Sequence, residues 1–161
     1  MSGRRARVAA PSGQPPSVWK KVRDVMTSLP VTVSPETSVA DLKQLFERHD
    51  YNAFPVAEAD GTLRGIVTKL DILRSFRPDP LRETPELRAP RAERVSDIMR
   101  RGIITLEPDD PVVAAVDLML ESRLRSLPVV ERRRGQGPVL VGFVSRGDLL
   151  RGFEIEGGAA E

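Results

Sequence analysis

Two pairs of side chains, Thr68 with Asp71 and Ser145 with Asp148, combine a hydroxyl with a carboxylate three residues later. Each hydroxyl follows a predicted strand and begins a predicted helix. A carboxylate can accept hydrogen bonds from both vicinal hydroxyls of a sugar such as ribose. A hydroxyl beside the free N–H groups of a helix start can receive a phosphate. The same spacing is also a capping box, in which both groups only stabilise the helix start. The residues alone leave both interpretations open.

Other site chemistry has little support in the sequence. The chain has no cysteine and a single histidine, His49. It has no acidic cluster with the spacing of metal ligands, so we predict no metal site, no disulfide and no thiol catalysis. Neither a nucleophile–base pair nor a glycine-rich phosphate loop is present, and we predict that the protein is not an enzyme. The absence of cysteine fits a cytoplasmic protein.

The charge of the chain argues against nucleic acid as its main partner. The 161 residues carry a net charge of only +2, which is too weak to indicate nucleic-acid binding by itself. We interpret the run Arg132–Arg134 as a solvated turn. No apolar run approaches the roughly 18–20 residues that cross a bilayer, so we predict no membrane contact. The N-terminal stretch is basic but lacks the apolar core of a secretory signal.

An internal duplication determines the organisation of the chain. Val22–Met26 recurs as Val95–Met99, and Gly65–Thr68 recurs as Gly142–Ser145 after a short insertion in the second copy. The predicted segments are a flexible basic tail (1–17), a first repeat (18–76), a linker rich in proline and charge (77–94), a second repeat (95–153) and a flexible tail (154–161).

Each copy shows the same predicted order of elements, β-α-β-β-α. Thr37 or Ser38 can cap the first helix of copy one, whereas Asp110 is the predicted cap in copy two, with Pro111 at the first helical position. Asp60-Gly61 marks a tight turn. The predicted strands are 31–33, 54–57, 63–67, 103–106, 127–130 and 139–144, and the last helices begin near Lys69 and Arg146. We expect both repeats to share one core that buries Leu42, Phe46, Val56, Val67, Val116, Met119, Val129 and Val144.

The repeat resembles the CBS domain, named after cystathionine β-synthase. The residues that carry the likeness are Asp24–Met26 and Asp97–Met99, Phe54–Val56 and Leu127–Val129, and Gly65–Asp71 and Gly142–Asp148. The resemblance implies an α+β fold of tandem CBS repeats, two β-α-β-β-α units packed sheet to sheet about a pseudo-two-fold axis. It also implies two clefts for adenosine-type ligands. AMP, ADP or ATP are expected before S-adenosylmethionine or NAD, and no other cofactor is expected. A homodimer that regulates a partner protein follows from the same resemblance.

The resemblance assigns further residues to the two clefts. Apolar members would hold the adenine. The sequence also places basic residues near the clefts, Arg123, Arg125, Lys69 and Arg146, which would favour phosphate over a cationic sulfonium. They could equally be ordinary surface residues of an arginine-rich chain. Gly147 and Arg146 replace Leu70 and Lys69 of the first copy, so we expect the Asp148 cleft to be the tighter one. Asp148 and Ser145 would act with Met26, Pro30, Val31 and Ala53; Asp71 and Thr68 would act with Met99, Ile103, Ile104 and Ser126.

Two other functions fit the residues. The chain could be a dimerisation module whose clefts hold no ligand, which a thermal-shift screen with adenine nucleotides would reveal. It could also bind nucleic acid through its basic tail and Arg132–Arg134, in which case binding should fall steeply with salt.

Overall fold

The computed structural model describes residues 20–76 and 93–152 of the chain. The two predicted tails and nearly all of the predicted linker lie outside the described residues. The elements run in the order α1 (Val22–Val25), β1 (Thr27–Ser28), α2 (Val39–Arg48), β2 (Ala53–Ala57), β3 (Leu63–Thr68), α3 (Lys69–Ser75), α4 (Val95–Ile98), α5 (Val112–Ser122), β4 (Ser126–Arg132), β5 (Pro138–Ser145) and α6 (Arg146–Gly152). One sheet has the strand order β1-β5-β4, and a second pairs β2 with β3.

The chain divides into two compact units that differ from the two sequence repeats. Among the described residues, the Asp148 unit contains 20–30, 104–132 and 140–152. The Asp71 unit contains 31–76, 93–103 and 133–139. The first helix of each repeat therefore belongs to the unit that contains most of the other repeat.

Backbone hydrogen bonds hold these exchanged helices in place. In the Asp148 unit the N–H of Val22 donates to the carbonyl of Asp110 at 2.8 Å, and that of Val112 donates to Lys20 at 3.0 Å. In the Asp71 unit the N–H of Val95 donates to the carbonyl of Thr37 at 2.8 Å. Two exposed ion pairs add to the contacts in the Asp148 unit. Asp109 pairs with Arg23 and Lys21, and the hydrogen bonds from these side chains lower the pKa of its carboxyl.

The apolar residues form two clusters, whereas the sequence predicted one shared core. Val22 is fully buried in the cluster of the Asp148 unit, around Leu106, Leu127 and Val144. Val95 is fully buried in the other cluster, around Leu42, Phe54 and Val67. Of the eight residues predicted to be buried, Val116 is only partly buried and the other seven are buried.

The two brief strands predicted at 31–33 and 103–106 are wrong. Only Val33 and Leu106 pair, each through a single parallel bridge, to Val56 and Val129 respectively. Val31 is exposed, and so is Thr32, which leaves these residues without the half-buried surroundings that a strand needs. The later strands and the Asp60-Gly61 turn are confirmed: Gly61 has φ of +86° and donates its N–H to Glu58 at 2.9 Å.

The predicted helix cap at Asp110 is also wrong. α5 begins at Val112 with Pro111 at the cap position, and the Asp110 carboxylate instead accepts from the N–H of Glu107 at 2.8 Å. Thr37, at the equivalent position of the first repeat, closes the same turn by accepting from the N–H of Ser34 at 3.1 Å. The cap-type side chain therefore closes the turn that precedes the helix.

Ser38 is the cap of α2, and its removal should be measurable. Its hydroxyl accepts from the N–H of Asp41 at 3.0 Å. We expect Ser38→Ala to lower the free energy of unfolding by about 1 kcal/mol, because that N–H loses its partner. Chemical denaturation followed by circular dichroism measures the change. Gln44→Ala, at an exposed position of the same helix, is the matched control and should not destabilise the protein; an equal loss in the two variants would contradict the capping role.

Candidate ligand-binding sites

The carboxylate of Asp71 lies at the start of α3 and is 5% exposed. Its Oδ2 accepts from the N–H of Thr68 at 2.8 Å and from the Thr68 hydroxyl at 2.9 Å. The Thr68 hydroxyl in turn accepts from the N–H of Asp71 at 3.3 Å. These bonds complete a capping box, so the capping interpretation of this pair is confirmed.

The second oxygen of Asp71 faces arginine side chains. Oδ1 accepts from Nε of Arg100 at 3.3 Å, and Nη1 of Arg74 lies 3.7 Å from it. The side chains of these two arginines are 44% and 52% exposed, whereas that of Asp71 is 4% exposed. The buried carboxylate is therefore compensated by two cations that reach in from the surface.

Arg100 reaches Asp71 because the backbone fixes its position. Arg100 and Ile66 form an antiparallel bridge, with N–H to carbonyl distances of 2.8 and 3.0 Å. Gly65 makes this close approach possible, because a Cβ at that position would lie 2.7 Å from the Arg100 carbonyl and 2.9 Å from Sδ of Met99. Met99 is itself buried, next to the strand that leads into Thr68.

The Asp148 unit repeats this arrangement with different side chains. Oδ2 of Asp148 accepts from the N–H of Ser145 at 2.8 Å, and the Ser145 hydroxyl accepts from the N–H of Asp148 at 3.2 Å. Oδ1 forms an ion pair with Arg151, whose side chain is 74% exposed. β1 pairs with β5 through Thr27 and Phe143, just as Arg100 pairs with Ile66. Capping is thus confirmed here as well, but with one arginine on the carboxylate.

Arg146 has a structural role that the sequence did not predict. Arg123, the residue that follows α5, has the left-handed conformation, with φ of +58°. The guanidinium of Arg146 donates to the carbonyl of Leu124 at 3.3 Å and to that of Arg123 at 3.2 Å. A cation at the carbonyl end of a helix is stabilising. The backbone N–H of Arg146 also donates to the Arg125 carbonyl at 3.1 Å, which places Arg125 at the start of α6.

The predicted members of the two sites are distributed over both compact units. The Asp148 unit contains Met26, Pro30, Ile104, Arg125, Ser126, Ser145, Arg146 and Asp148. The Asp71 unit contains Val31, Ala53, Thr68, Asp71, Met99 and Ile103, and Ala53 lies opposite Thr68 in the β2–β3 register. The contacts of all these residues with a ligand stay predictions.

Sequence reasoning missed the arginines that contact the two carboxylates. Arg74 and Arg151 occupy the same position in the two repeats, three residues after the aspartate, so a helical i,i+3 ion pair could have been predicted. Arg100 offers no such signal, because its contact with Asp71 spans 29 positions of the sequence.

Two further classes of site are not seen in the part of the chain that the structure describes. Residues 20–76 and 93–152 bring together no group of three His, Cys, Asp or Glu side chains that could hold a metal ion. None of the helices in those ranges has the length and apolarity that crossing a bilayer requires.

The sequence and the fold both match known proteins. The family model for the CBS domain matches residues 22–77 and 95–154. The chain is 33% identical over 129 residues to the CBS domain-containing protein YhcV of Bacillus subtilis, covering 80% of this chain and 81% of that protein. The predicted resemblance and fold class are therefore confirmed.

Two solved structures with this fold contain adenosine-type ligands. CBSX2 in complex with AMP superposes with a TM-score of 0.66 and 28% identity, covering 81% of this chain and 93% of that one. The CBS domain pair of MJ0100 in complex with 5′-methylthioadenosine and S-adenosyl-L-methionine has a TM-score of 0.65 and 25% identity, covering 82% and 98%. Ligands with and without phosphate thus occur among proteins of this fold.

Proposed function

Since this chain belongs to the CBS domain family, we propose that it is a regulatory module that binds an adenosine nucleotide, AMP, ADP or ATP, and passes the signal to a partner protein. The observation that carries the proposal is the duplicated, buried aspartate at the start of α3 and of α6. In each case one carboxylate oxygen holds the helix start, and the other contacts exposed arginine side chains.

The geometry allows each aspartate to cap its helix and bind a ligand at the same time. Oδ2 stays on the N–H of Thr68 or Ser145, and Oδ1 accepts from a ribose hydroxyl. The arginine side chains that contact Oδ1 are exposed, so they can move into solvent when a hydroxyl takes their place. In this proposal Met26, Pro30, Val31 and Ala53 contact the adenine at the Asp148 site, and Met99, Ile103, Ile104 and Ser126 contact it at the Asp71 site.

Phosphate groups of the ligand would be held by arginines. The side chain of Arg125 is exposed. Its carbonyl accepts from the N–H of Arg146, which places Arg125 beside the start of α6. The guanidinium of Arg146 is committed to the end of α5, so its contribution to phosphate binding is through its charge rather than through a free bidentate fork. We propose no catalytic role for either arginine. We also propose that the module acts in the cytoplasm.

Calorimetric titration with AMP, ADP, ATP, S-adenosylmethionine, 5′-methylthioadenosine and NAD tests this function. We expect saturable binding of at least one adenine nucleotide, with one or two molecules bound per chain. If no member of the panel binds at millimolar concentration, the proposed function is wrong, and a dimerisation module without a ligand becomes the better interpretation.

We also propose that the protein is a homodimer. Large apolar side chains on the helices are exposed in each unit: Leu120 and Leu150 in one, and Leu73 in the other, are 65–74% exposed. Exposed apolar surface favours association. Sedimentation velocity at micromolar concentration should therefore show a dimer. A monomer at all concentrations, with and without AMP, would contradict this assignment.

A further inference from the structure

The two aspartates differ in one cationic partner. Arg74 and Arg151 occupy the same position in the two repeats, one helical turn after the aspartate. Their contacts differ, because Nη1 of Arg74 lies 3.7 Å from Oδ1 of Asp71, whereas Arg151 donates a hydrogen bond to Oδ1 of Asp148. Arg100, which also contacts Asp71, corresponds in the other repeat to Thr27. Thr27 is uncharged, and it occupies the matching backbone position opposite Phe143.

In the proposed binding mode, Arg100 occupies the position that the ligand's sugar needs. The other carboxylate oxygen of Asp71 is already engaged by the N–H and the hydroxyl of Thr68, at 2.8 and 2.9 Å. A sugar hydroxyl must therefore reach Oδ1, which accepts from Nε of Arg100 at 3.3 Å. Because the Arg100 side chain is 44% exposed, it can leave the carboxylate, but its charge then needs a new partner.

The chemistry of the ligand decides whether that partner exists. A phosphorylated adenosine supplies an anion, and a guanidinium binds phosphate with two parallel hydrogen bonds. An uncharged nucleoside supplies no anion, and a sulfonium ligand adds a like charge. The loss of the Arg100–Asp71 contact is then not compensated, which lowers the affinity for those ligands. At Asp148 a ligand displaces Arg151 instead, but that side chain is 74% exposed, against 44% for Arg100, so its release costs less.

We propose that Arg100 makes the Asp71 site selective for adenosine ligands that carry a phosphate, whereas the Asp148 site, with Thr27 in the same position, also accepts unphosphorylated ones. The inference rests on the proposed function and names the ligand class of each site. One chain would then sense a nucleotide and a nucleoside-type ligand separately.

The test compares AMP with adenosine in calorimetric titrations of full-length variants. Asp148→Asn weakens the Asp148 site, so binding in that background reports on Asp71. There we expect AMP to bind at least about tenfold more tightly than adenosine, the scale of one interaction with a charged group. Arg100→Thr introduces the residue found at this position in the other repeat. In the same background it should reduce the ratio of AMP affinity to adenosine affinity to about two, mainly through tighter adenosine binding.

The reciprocal variant, Thr27→Arg, keeps the inference testable if Arg100→Thr does not fold. In an Asp71→Asn background, Thr27→Arg should lower adenosine affinity at the Asp148 site by about tenfold and leave AMP affinity within about threefold. Arg101→Thr is the matched control: its side chain donates to the Ser96 carbonyl at 3.3 Å, and its loss should leave the ratio unchanged.

The results separate the inference from the proposed function. If the unmodified protein binds neither AMP nor adenosine, the proposed function fails and the inference fails with it. If it binds them, but neither Arg100→Thr nor Thr27→Arg changes the AMP-to-adenosine ratio, the inference alone is overturned. Equal affinity for AMP and adenosine in the Asp148→Asn background would overturn it as well.

Discussion

Replacing Asp148 by asparagine should weaken AMP binding by about 10- to 150-fold, which corresponds to roughly 1.5–3 kcal/mol for a hydrogen bond to a charged group. The affinity should fall because asparagine has fewer hydrogen-bond acceptors than aspartate. The carboxylate has two oxygens, and Oδ2 is engaged by the N–H of Ser145 at 2.8 Å. Asparagine has one acceptor oxygen, so holding the helix start turns its amide N–H₂ group toward the sugar hydroxyls.

The stability of the Asp148→Asn variant should change much less than its affinity. The cap can be kept by the remaining oxygen, and the lost partner Arg151 is 74% exposed, so that ion pair contributes little. We expect a loss of a few tenths of a kcal/mol in the free energy of unfolding, from the weaker interaction with the helix dipole. Thermal melting of the free protein, compared with calorimetry, separates the two effects.

Asp71→Asn provides the matched comparison within the same chain. Two arginines, Arg100 and Arg74, contact Oδ1 of Asp71, whereas one, Arg151, contacts Oδ1 of Asp148. A ligand therefore has fewer contacts to displace at Asp148, so that site should bind AMP more tightly. Asp148→Asn should accordingly lose more AMP binding than Asp71→Asn. A protein in which Asp148→Asn binds AMP like the parent while Asp71→Asn abolishes binding would reverse this ranking. Unchanged binding in both variants, with lower stability, would leave the aspartates a capping role only.

The sequence predicts the repeated elements well because their signals are local. Ser38 caps α2, and α3 and α6 begin at Lys69 and Arg146 as the hydroxyl-x-x-carboxylate spacing indicates. β2 to β5 differ from the predicted strands by at most two residues at either end. Seven of the eight predicted core residues are buried. Alternation and helical spacing are properties of adjacent residues, so tertiary contacts are not needed to recognise them.

The remaining features depend on contacts between distant residues. α1 and α4 have four residues each, which is too short for a helical period to show which unit they pack in. Asp110 is a favoured cap residue, but the neighbouring turn uses its carboxylate. Arg100 joins the Asp71 site only because its backbone pairs with Ile66, 34 positions earlier in the numbering. A single sequence contains no pattern for such pairings.

The close approach at Gly65 leads to the second large effect. A Cβ at this position would lie 2.7 Å from the Arg100 carbonyl, a backbone atom, so Gly65→Ala requires the Arg100–Ile66 bridge to shift. We expect the free energy of unfolding to fall by about 3 kcal/mol, at the upper end of the range for overpacking. Chemical denaturation measures the change. Because Arg100 moves with the bridge, the preference of the Asp71 site for AMP over adenosine should fall as well.

Gly142→Ala is the matched control, because Gly142 is the equivalent glycine of the other repeat. All three atoms nearest to its added Cβ belong to the side chain of Met26, which is flexible and can move. The loss should therefore be about 1 kcal/mol, at the lower end of the same range. Met26→Ala removes the clash, and the double variant should be less unstable than the two single losses added together. Met99→Ala should give much less relief to Gly65→Ala, since it removes the contact with Sδ of Met99 but leaves the Arg100 carbonyl in place. Equal rescue in both pairs would show that side-chain crowding, and not the backbone bridge, requires glycine at position 65.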